Sequence, residues 1–378
     1  LASIDARLEK ENNRLDVLML SGGEPTLYPW LEQLLEHLVQ RPIVRVLINT
    51  NGMRIAQDDE FVATLQKHRE RVEIYLQFDG ESEEASRHHR GGDIRKFKDQ
   101  AIERLSAAGI FMTLTMTAAL GVNDDEIGAV IKRAQETPYV GGVTIQPVFG
   151  SGRSAGIDPQ ERLTHTGVLA RLDPQTDGKI TWRDLTALPC SHPHCCSVGY
   201  FLKDDAGTWQ SLVSLIGHER LKEFLDLNPD LIANRIADSD FNKHARQVVK
   251  DSLMDLLSEQ SSLSHPAMVD IWRDICVNCD IGIGTLTALA ASNLPGQHQR
   301  MRRMLAERVL RITVKPFMDI NTMIEERLIQ CCVHVATVNE DSSSHQCAPF
   351  CAVQAWKPLS DSRISTATGK RELPLTVK

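Results

Sequence analysis

The chain has 378 residues, 42% of them hydrophobic, and a formal net charge of −8, a composition typical of a globular protein that buries a large core. The negative charge argues against a general electrostatic attraction to nucleic acid. No apolar run approaches the roughly 20 residues needed to cross a bilayer, and the start of the chain does not resemble a signal peptide, so we expect a cytoplasmic protein without a transmembrane segment.

Short apolar runs alternate with amphipathic segments from residue 16 to about 148, which predicts βαβ units and a parallel sheet. The predicted strands are 16–20, 43–48, 72–78, 111–117 and 142–147. Apolar stripes with helical spacing fill the connections between them. Gly109 is expected to end one helix, and residues 123–126 are expected to open the next as a cap and acidic first turn.

Polar residues follow each of these predicted strands. They are Ser21 to Pro25, Asn49 to Gly52, Gln77 to Gly80, Thr115 to Thr117, and Gln146 with Pro147. Because the carboxyl ends of parallel strands meet at one edge, where α/β proteins bind ligands, we expect a binding rim there. Gly22 and Gly23 let the backbone approach a ligand closely, Pro25 stiffens the exit, and Glu24 offers a charge suited to an ammonium group.

The regular alternation stops at a stretch rich in glycine, serine and arginine, residues 149–154, which predicts a domain boundary. We expect three parts. They are a partial barrel over 1–150, a mostly helical region over 151–265 with the first cysteine group, and a C-terminal region over 266–378 with the remaining cysteines.

The nine cysteines are absent from the first 189 residues and then fall in close groups. In a chain without a secretion signal, such groups indicate metal or cluster ligands more readily than disulfides. Cys276 and Cys279 form a Cys-x₂-Cys pair, which suits zinc as well as a cluster. In the adjacent pairs Cys195–Cys196 and Cys331–Cys332, one member is expected to be a buried spectator. The neighbouring His192, His194 and His334 are interpreted as ligands or as supporting residues.

The order of four strings in the first 150 residues resembles the core of radical S-adenosylmethionine (radical SAM) enzymes. The strings are Gly22-Gly23-Glu24-Pro25, Thr50-Asn51-Gly52, Gln77-Phe78-Asp79-Gly80 and His89-Arg90-Gly91. The resemblance implies an α/β fold, a partial (β/α)₆ barrel followed by a mostly helical, cysteine-rich C-terminal region. It further implies that the first string holds the methionine ammonium of SAM, that Asn51, Gln77 and Asp79 meet its ribose or carboxylate, and that Gln146 flanks the adenine.

Four strings in the second half narrow the resemblance to a subgroup that contains archaeal dihydropterin methyltransferases and tetraether lipid synthases. They are residues 189–195, 315–319, 331–335 and 347–352. Members of this subgroup carry auxiliary [4Fe-4S] clusters, and the resemblance implies one or two of them here. The implied ligands are Cys190, Cys195, Cys276, Cys279, Cys331, Cys332, Cys347 and Cys351. Val353-Gln354 replace the Tyr-Asn with which the family's last cysteine motif ends, a departure that bears on substrate identity.

The Cys-x₃-Cys-x₂-Cys loop that holds the radical cluster in this family does not occur in the sequence. The chain begins within a helical pattern, residues 2–13, with no strand before it. We therefore expect an N-terminally truncated sequence that is inactive alone.

The resemblance implies an enzyme that generates a 5′-deoxyadenosyl radical to functionalise an unactivated carbon, with methylation of a pterin-like substrate as the leading interpretation. Coupling of lipid chains and a non-catalytic iron-sulfur or zinc scaffold are the alternatives. The implied partners are a small-molecule or lipid substrate and a low-potential electron donor such as ferredoxin or flavodoxin. Asp319 is interpreted as a residue near the substrate or a helix cap, and Arg90 as a partner of a cofactor carboxylate or a solvated residue.

Overall fold

The computed structural model describes residues 1–11, 13–151, 158, 160–188, 191–204, 206–227, 306–338 and 345–354. The strands are β1 (Leu15–Leu20), β2 (Ile43–Thr50), β3 (Val72–Gln77), β4 (Met112–Ala118), β5 (Val140–Pro147), β6 (Thr186–Ala187), β7 (Ser197–Lys203), β8 (Trp209–Ser211), β9 (Val309–Val314), β10 (His334–Val338) and β11 (His345–Pro349). The helices are α1 (Ala2–Lys10), α2 (Leu31–Leu38), α3 (Met53–Gln57), α4 (Asp59–Lys67), α5 (Glu83–Arg90), α6 (Arg95–Ala107), α7 (Ile127–Glu136), α8 (His165–Gln175), α9 (Leu212–Ile216), α10 (His218–Leu227) and α11 (Glu325–Ile329).

The first five strands pair in parallel and in chain order, so that their carboxyl ends share one edge of the sheet. The sheet then continues through β9, which is parallel to β5, and β7, which is antiparallel to β9. The short strands β6 and β8 pair with β7, and β10 and β11 form a separate antiparallel pair. This mostly parallel α/β architecture confirms the predicted fold class.

All five predicted strands are present, with bounds shifted by at most two residues. The six strands β6 to β11 were missed, because a mostly helical region was expected after residue 150. Four of them, β6 to β9, extend the same sheet that β1 to β5 begin. The three-part division of the chain stays a prediction.

One face of the sheet carries the apolar core. Ile48, Ile74, Leu114, Ile145 and Ile312 on this face are fully buried and belong to one cluster with the helix residues Leu35, Leu105 and Val130. Burial of each such side chain stabilises the fold by about 1.5–3 kcal/mol. Since strand side chains alternate, the residues between them lie on the other face, which we call the inner face.

The helix ends agree with the sequence at one place and differ at another. Gly109 has φ of 66° just after α6, as expected for a residue that ends a helix. The predicted cap of α7 is wrong, because Glu126 is its N-cap position and no side chain caps it. Instead, Asn123 Nδ2 donates to the carbonyl oxygens of Asp79 and Thr117, since these buried acceptors compete successfully for its amide.

No helix among the described residues is both long enough and apolar enough to span a bilayer.

Candidate functional site

The turn after β1 opens toward free space. Gly22 has φ of 108°, which favours glycine, and a Cβ atom at Gly22 or Gly23 would meet nothing within 4 Å. Pro25 begins a single 3₁₀ turn, Pro25–Leu27, that redirects the chain toward α2. The backbone of Gly22 and Gly23 is therefore accessible to a ligand.

Glu24 fastens this turn to the end of β2. Its Oε1 accepts hydrogen bonds from Thr26 Oγ1 at 2.8 Å and Thr50 Oγ1 at 2.6 Å, and its Oε2 accepts one from the Asn51 backbone N–H at 2.8 Å. The carboxylate that the sequence assigned to a ligand ammonium is thus occupied by protein donors. Its geometry makes it a positioning group for the turns after β1 and β2.

The turn after β2 is held from the other side by a buried lysine. Asn51 Oδ1 accepts a hydrogen bond from the Met53 N–H, and its carbonyl oxygen accepts one from Lys98 Nζ at 2.5 Å. Lys98 is 5% exposed. Burial, with Arg90 nearby, lowers the pKa of Lys98 to about 7, against the opposing influence of two carboxylates.

Lys98 was missed in the sequence, although a signal was available. It lies on α6 one turn before Ile102 and Ala101, on the side of the helix that is buried. A lysine on an apolar stripe is unusual, and such a position indicates a buried polar partner.

Side chains at the ends of β1, β2 and β3 form a chain of hydrogen bonds along the rim. Asn49 Nδ2 lies 3.3 Å from Ser21 Oγ, and Gln77 Nε2 lies 3.4 Å from Asn49 Oδ1. Arg90 Nη1 then donates to Gln77 Oε1 at 2.6 Å. The polar strand ends therefore lie side by side.

Arg90 and Asp79 complete this chain with a two-pronged ion pair. Arg90 Nε and Nη2 lie 2.6 and 2.9 Å from the two carboxylate oxygens of Asp79, which is 5% exposed. Asp79 Oδ1 also accepts the Thr117 N–H of β4. Such a paired fork is a strong, orienting interaction, so Arg90 is neither a solvated residue nor a free partner for a cofactor carboxylate.

All eight residues predicted to bind the cofactor lie along this one rim. They are Gly22, Gly23, Glu24 and Pro25 after β1, Asn51 after β2, Gln77 and Asp79 at β3, and Gln146 near the end of β5. The structure brings them to one edge, and their role toward a cofactor stays a prediction.

The cysteines fall partly within the described residues. Cys190, Cys276 and Cys279 lie outside them. Cys196 is 4% exposed, and burial raises its pKa to about 11, which suits the expected spectator beside Cys195. Cys332 and Cys347 are exposed.

Three further cysteines, Cys195, Cys331 and Cys351, come from separate segments and interact electrostatically. Burial raises the pKa of the Cys351 thiol, and Cys331 and Cys195 raise it further. The Met318 N–H, which donates to Cys351 Sγ at 3.3 Å, acts in the opposite direction and lowers this pKa. Arg327 Nε donates to Cys195 Sγ at 3.3 Å. Among the described residues, no three His, Cys, Asp or Glu side chains are arranged to hold a metal ion.

The remaining candidates have structural partners. Asp319 Oδ1 accepts the Asn321 N–H at 3.0 Å and Thr322 Oγ1 at 2.9 Å, so it caps a short 3₁₀ turn, and its other oxygen pairs with Arg162. The cap interpretation of Asp319 is therefore correct. The His194 N–H donates to His192 Nδ1.

The site is thus a rim of polar turns at the carboxyl edge of a parallel sheet, with cysteines on the segments that follow. Residues 2–134 match the family model described as the radical SAM superfamily. The match covers about a third of the chain.

The chain is also similar to a curated protein named 7,8-dihydro-6-hydroxymethylpterin dimethyltransferase from Methanocaldococcus jannaschii. The two are 26% identical over 373 residues, covering 91% of this chain and 67% of the relative. Among solved structures, a domain of pyruvate-formate lyase-activating enzyme from Bacteroides vulgatus ATCC 8482 matches with 16% identity and a TM-score of 0.30. That match covers 35% of this chain and 80% of the other, and its score is too low to bear on the fold.

The family implies SAM and a [4Fe-4S] cluster. The residues present fit SAM, because an open glycine turn and a row of donors and acceptors line the rim. They do not fit the radical cluster, since the sequence contains no Cys-x₃-Cys-x₂-Cys motif.

Proposed function

We propose that this chain is part of a radical SAM enzyme that methylates a pterin-like substrate. The observation that carries the proposal is the 26% identity with the M. jannaschii dimethyltransferase, which extends over 91% of the chain and so beyond the matched domain. The open turn at the rim supports a cofactor site at the place where such enzymes need one.

In this proposal, the Gly22–Gly23 backbone receives the methionine ammonium, and Glu24 keeps that turn in register with Asn51. Gln77 and Asp79 face the ribose or carboxylate from a position that Arg90 fixes. Gln146 flanks the adenine. Bound SAM would supply a carbon-centred radical able to remove hydrogen from an unactivated carbon, when reduction by one electron breaks its C–S bond and releases methionine. The protein contributes position and the exclusion of water.

We further propose that Cys195, Cys331 and Cys351 belong to an auxiliary cluster site. Thiolates are the ligands of iron-sulfur clusters, and hydrogen bonds to their sulfur atoms tune the reduction potential. Arg327 and the Met318 N–H supply two such hydrogen bonds. The other predicted ligands are Cys190, Cys276, Cys279, Cys332 and Cys347, and a low-potential donor such as ferredoxin or flavodoxin would deliver the electron.

The test uses the full-length protein, reconstituted anaerobically with iron and sulfide. It is incubated with dithionite, SAM and 7,8-dihydro-6-hydroxymethylpterin, and the products are measured by mass spectrometry. We expect 5′-deoxyadenosine and a pterin that has gained a methyl group. Formation of 5′-deoxyadenosine with an unchanged pterin would contradict the proposed substrate, and failure to form 5′-deoxyadenosine would contradict the reaction class.

A further inference from the structure

A buried arginine lies on the inner face of the sheet, outside the matched domain. The strand register places Tyr75, Thr113, Gly142, Arg311 and Tyr200 side by side across β3, β4, β5, β9 and β7. Directly paired residues share a face, so these five form one row. The row lies on the face opposite the apolar core.

Arg311 is 5% exposed, yet no carboxylate in the described part of the chain pairs with it. Its Nε is completely buried without a hydrogen-bond partner, and no salt bridge reaches its guanidinium from the residues that the structure describes. A buried guanidinium without a partner carries a large desolvation penalty, and such groups are normally paired. Among the described residues, the positive charge of Arg311 is therefore unbalanced.

The neighbouring carboxylates on this face are engaged elsewhere. Glu73 lies 3.8 Å from Arg45, and Asp79 holds Arg90. Neither is a counter-ion for Arg311.

Two hydroxyl groups of β4 lie on the same face, Thr113 in the row of Arg311 and Thr115 two residues nearer the rim. Thr113 Oγ1 and Thr115 Oγ1 are buried and find no hydrogen-bond partner in the described part of the chain. A Cβ atom at Gly142 would lie 3.2 Å from Arg311 Nη2 and 3.4 Å from Thr113 Oγ1. The guanidinium therefore crosses over the β5 backbone toward Thr113, and glycine leaves the space between them.

We propose that this row is a binding site for an anionic group, a carboxylate or a phosphate, on a small molecule that enters the inner face. Arg311 supplies two parallel N–H donors and the opposite charge, and Thr113 and Thr115 supply hydroxyl donors. Gly142 precedes Gln146 by four residues on β5, so the site lies about 13 Å below the rim. An anion held here is therefore distinct from groups bound at the turns after β1 to β3.

The proposal does not depend on the pterin activity, because anion binding is measured without turnover. The probes are inorganic phosphate, pterin-6-carboxylate and neutral 6-hydroxymethylpterin, each titrated into the full chain by calorimetry. We expect phosphate or pterin-6-carboxylate to bind, and Arg311→Met to weaken that binding at least about tenfold. The matched control is Arg87→Met, which removes the same charge from an exposed position on α5 and leaves binding unchanged.

The probes also separate two sources of the anion. One outcome is that the native chain binds pterin-6-carboxylate more tightly than 6-hydroxymethylpterin and that Arg311→Met loses this preference. That result assigns the anionic group to a ring substrate. Phosphate binding without that preference assigns the site to a free anion. The proposal is overturned if the native chain binds neither anion, or if Arg311→Met binds them as tightly as the native chain does.

The melting temperature of Arg311→Met gives a second measurement. If Arg311 only supported the fold, its replacement would lower this temperature. Because Arg311→Met removes an unpaired buried charge, we expect its melting temperature without ligand to equal or exceed that of the native chain. If that variant does not fold, Thr113→Val carries the test. It removes only an unpartnered hydroxyl, and we expect it to weaken phosphate binding by several fold while remaining folded.

Discussion

Glu24 shows how one acidic residue positions two neighbouring turns through its hydrogen bonds. Its carboxylate contacts Thr26, Thr50 and Asn51, and through them it joins two strand ends. The sequence indicated the residue but not these contacts, because a lone acidic residue beside glycines does not reveal the Thr50 hydroxyl that reaches it from another strand.

Replacing Glu24 with alanine tests this role. Loss of charge-assisted hydrogen bonds is expected to lower the free energy of unfolding by about 1–3 kcal/mol, measured by urea denaturation. Because the glycine turn is then held less firmly, SAM affinity should fall about tenfold, or about 1.4 kcal/mol, in a calorimetric titration. Glu9→Ala, on an exposed position of α1, should change neither quantity. An unchanged SAM affinity in Glu24→Ala would contradict the assignment of this turn.

The buried Lys98 is expected to make the stability of the fold depend on pH. Its pKa is lowered from 10.5 to about 7 in the folded chain, so the unfolded chain binds one more proton between these values. Stability should therefore rise with pH from about 7 to about 10.5, by at most about 1.4 kcal/mol per pH unit. Below pH 7 the lysine is charged in both states and the penalty for burying it is fully present.

Lys98→Met should remove this contribution. The comparison is the free energy of unfolding of the parent minus that of Lys98→Met, measured by chemical denaturation from pH 6 to about 10. We expect the difference to increase with pH. Parallel pH profiles for the two proteins would show that Lys98 titrates normally in the folded chain.

At the scale of elements, the strand ends depend on close packing of the short helix α3 between β3 and α6. Gly52, at the start of α3, has φ of 81°, and a Cβ atom there would lie 2.6 Å from Leu76 Cδ1 and 3.3 Å from Ala101 Cβ. Both the backbone conformation and the available space require glycine at this position.

Gly52→Ala is therefore expected to lower the free energy of unfolding by about 1–3 kcal/mol. Gly92→Ala is the matched control, because a Cβ atom at Gly92 would meet nothing within 4 Å. Thermal and urea unfolding of both variants measure the difference. Equal stability of the two variants would mean that α3 moves freely to accept the methyl group.

The same scale explains how much of the fold was predictable. The strands β1 to β5 were predicted because each apolar run is bounded by turn residues and by an amphipathic helix of local sequence. The strand β9 was missed because it pairs with Gly142 to Ile145 across more than 160 residues of chain, a contact that no local pattern encodes. Its inner-face Arg311 was missed with it.

The site was predictable as a set of positions and not as a set of contacts. Parallel strand order alone brings Ser21, Asn49 and Gln77 to one edge, so turn chemistry was sufficient to find them. The pairing of Arg90 with Asp79 depends on where the end of α5 lies relative to β3, and that is decided by packing. The hydrogen bonds of Asn123 depend on packing in the same way.

At the scale of the whole molecule, one sheet unites the matched domain with residues far along the chain. β9 and β7 continue the sheet from β5, and Ile312 of β9 is fully buried in the same core cluster as Ile145. We therefore expect the described strands to unfold as one unit.

Ile312→Ala tests this unity. Truncation of a fully buried isoleucine is expected to lower the free energy of unfolding by about 2–4 kcal/mol and to shift the signals of β1 to β5 together with the rest. Ile329→Ala, at a side chain that is 75% exposed, serves as the control and should change little. The readout is urea unfolding followed by circular dichroism and by hydrogen exchange in β2. Two separate transitions would show that the N-terminal strands fold without β9.

The central claim is that the carboxyl edge of β1 to β5 is the SAM site of this chain. Hydrogen-deuterium exchange of the full chain, with and without saturating SAM, tests it most directly because it locates protection by peptide. We predict that SAM protects the backbone amides of residues 21–24, 50–52 and 77–80, and leaves α4 and α8 unchanged. Binding of SAM shown by calorimetry, with no protection in those three turns, would contradict the account.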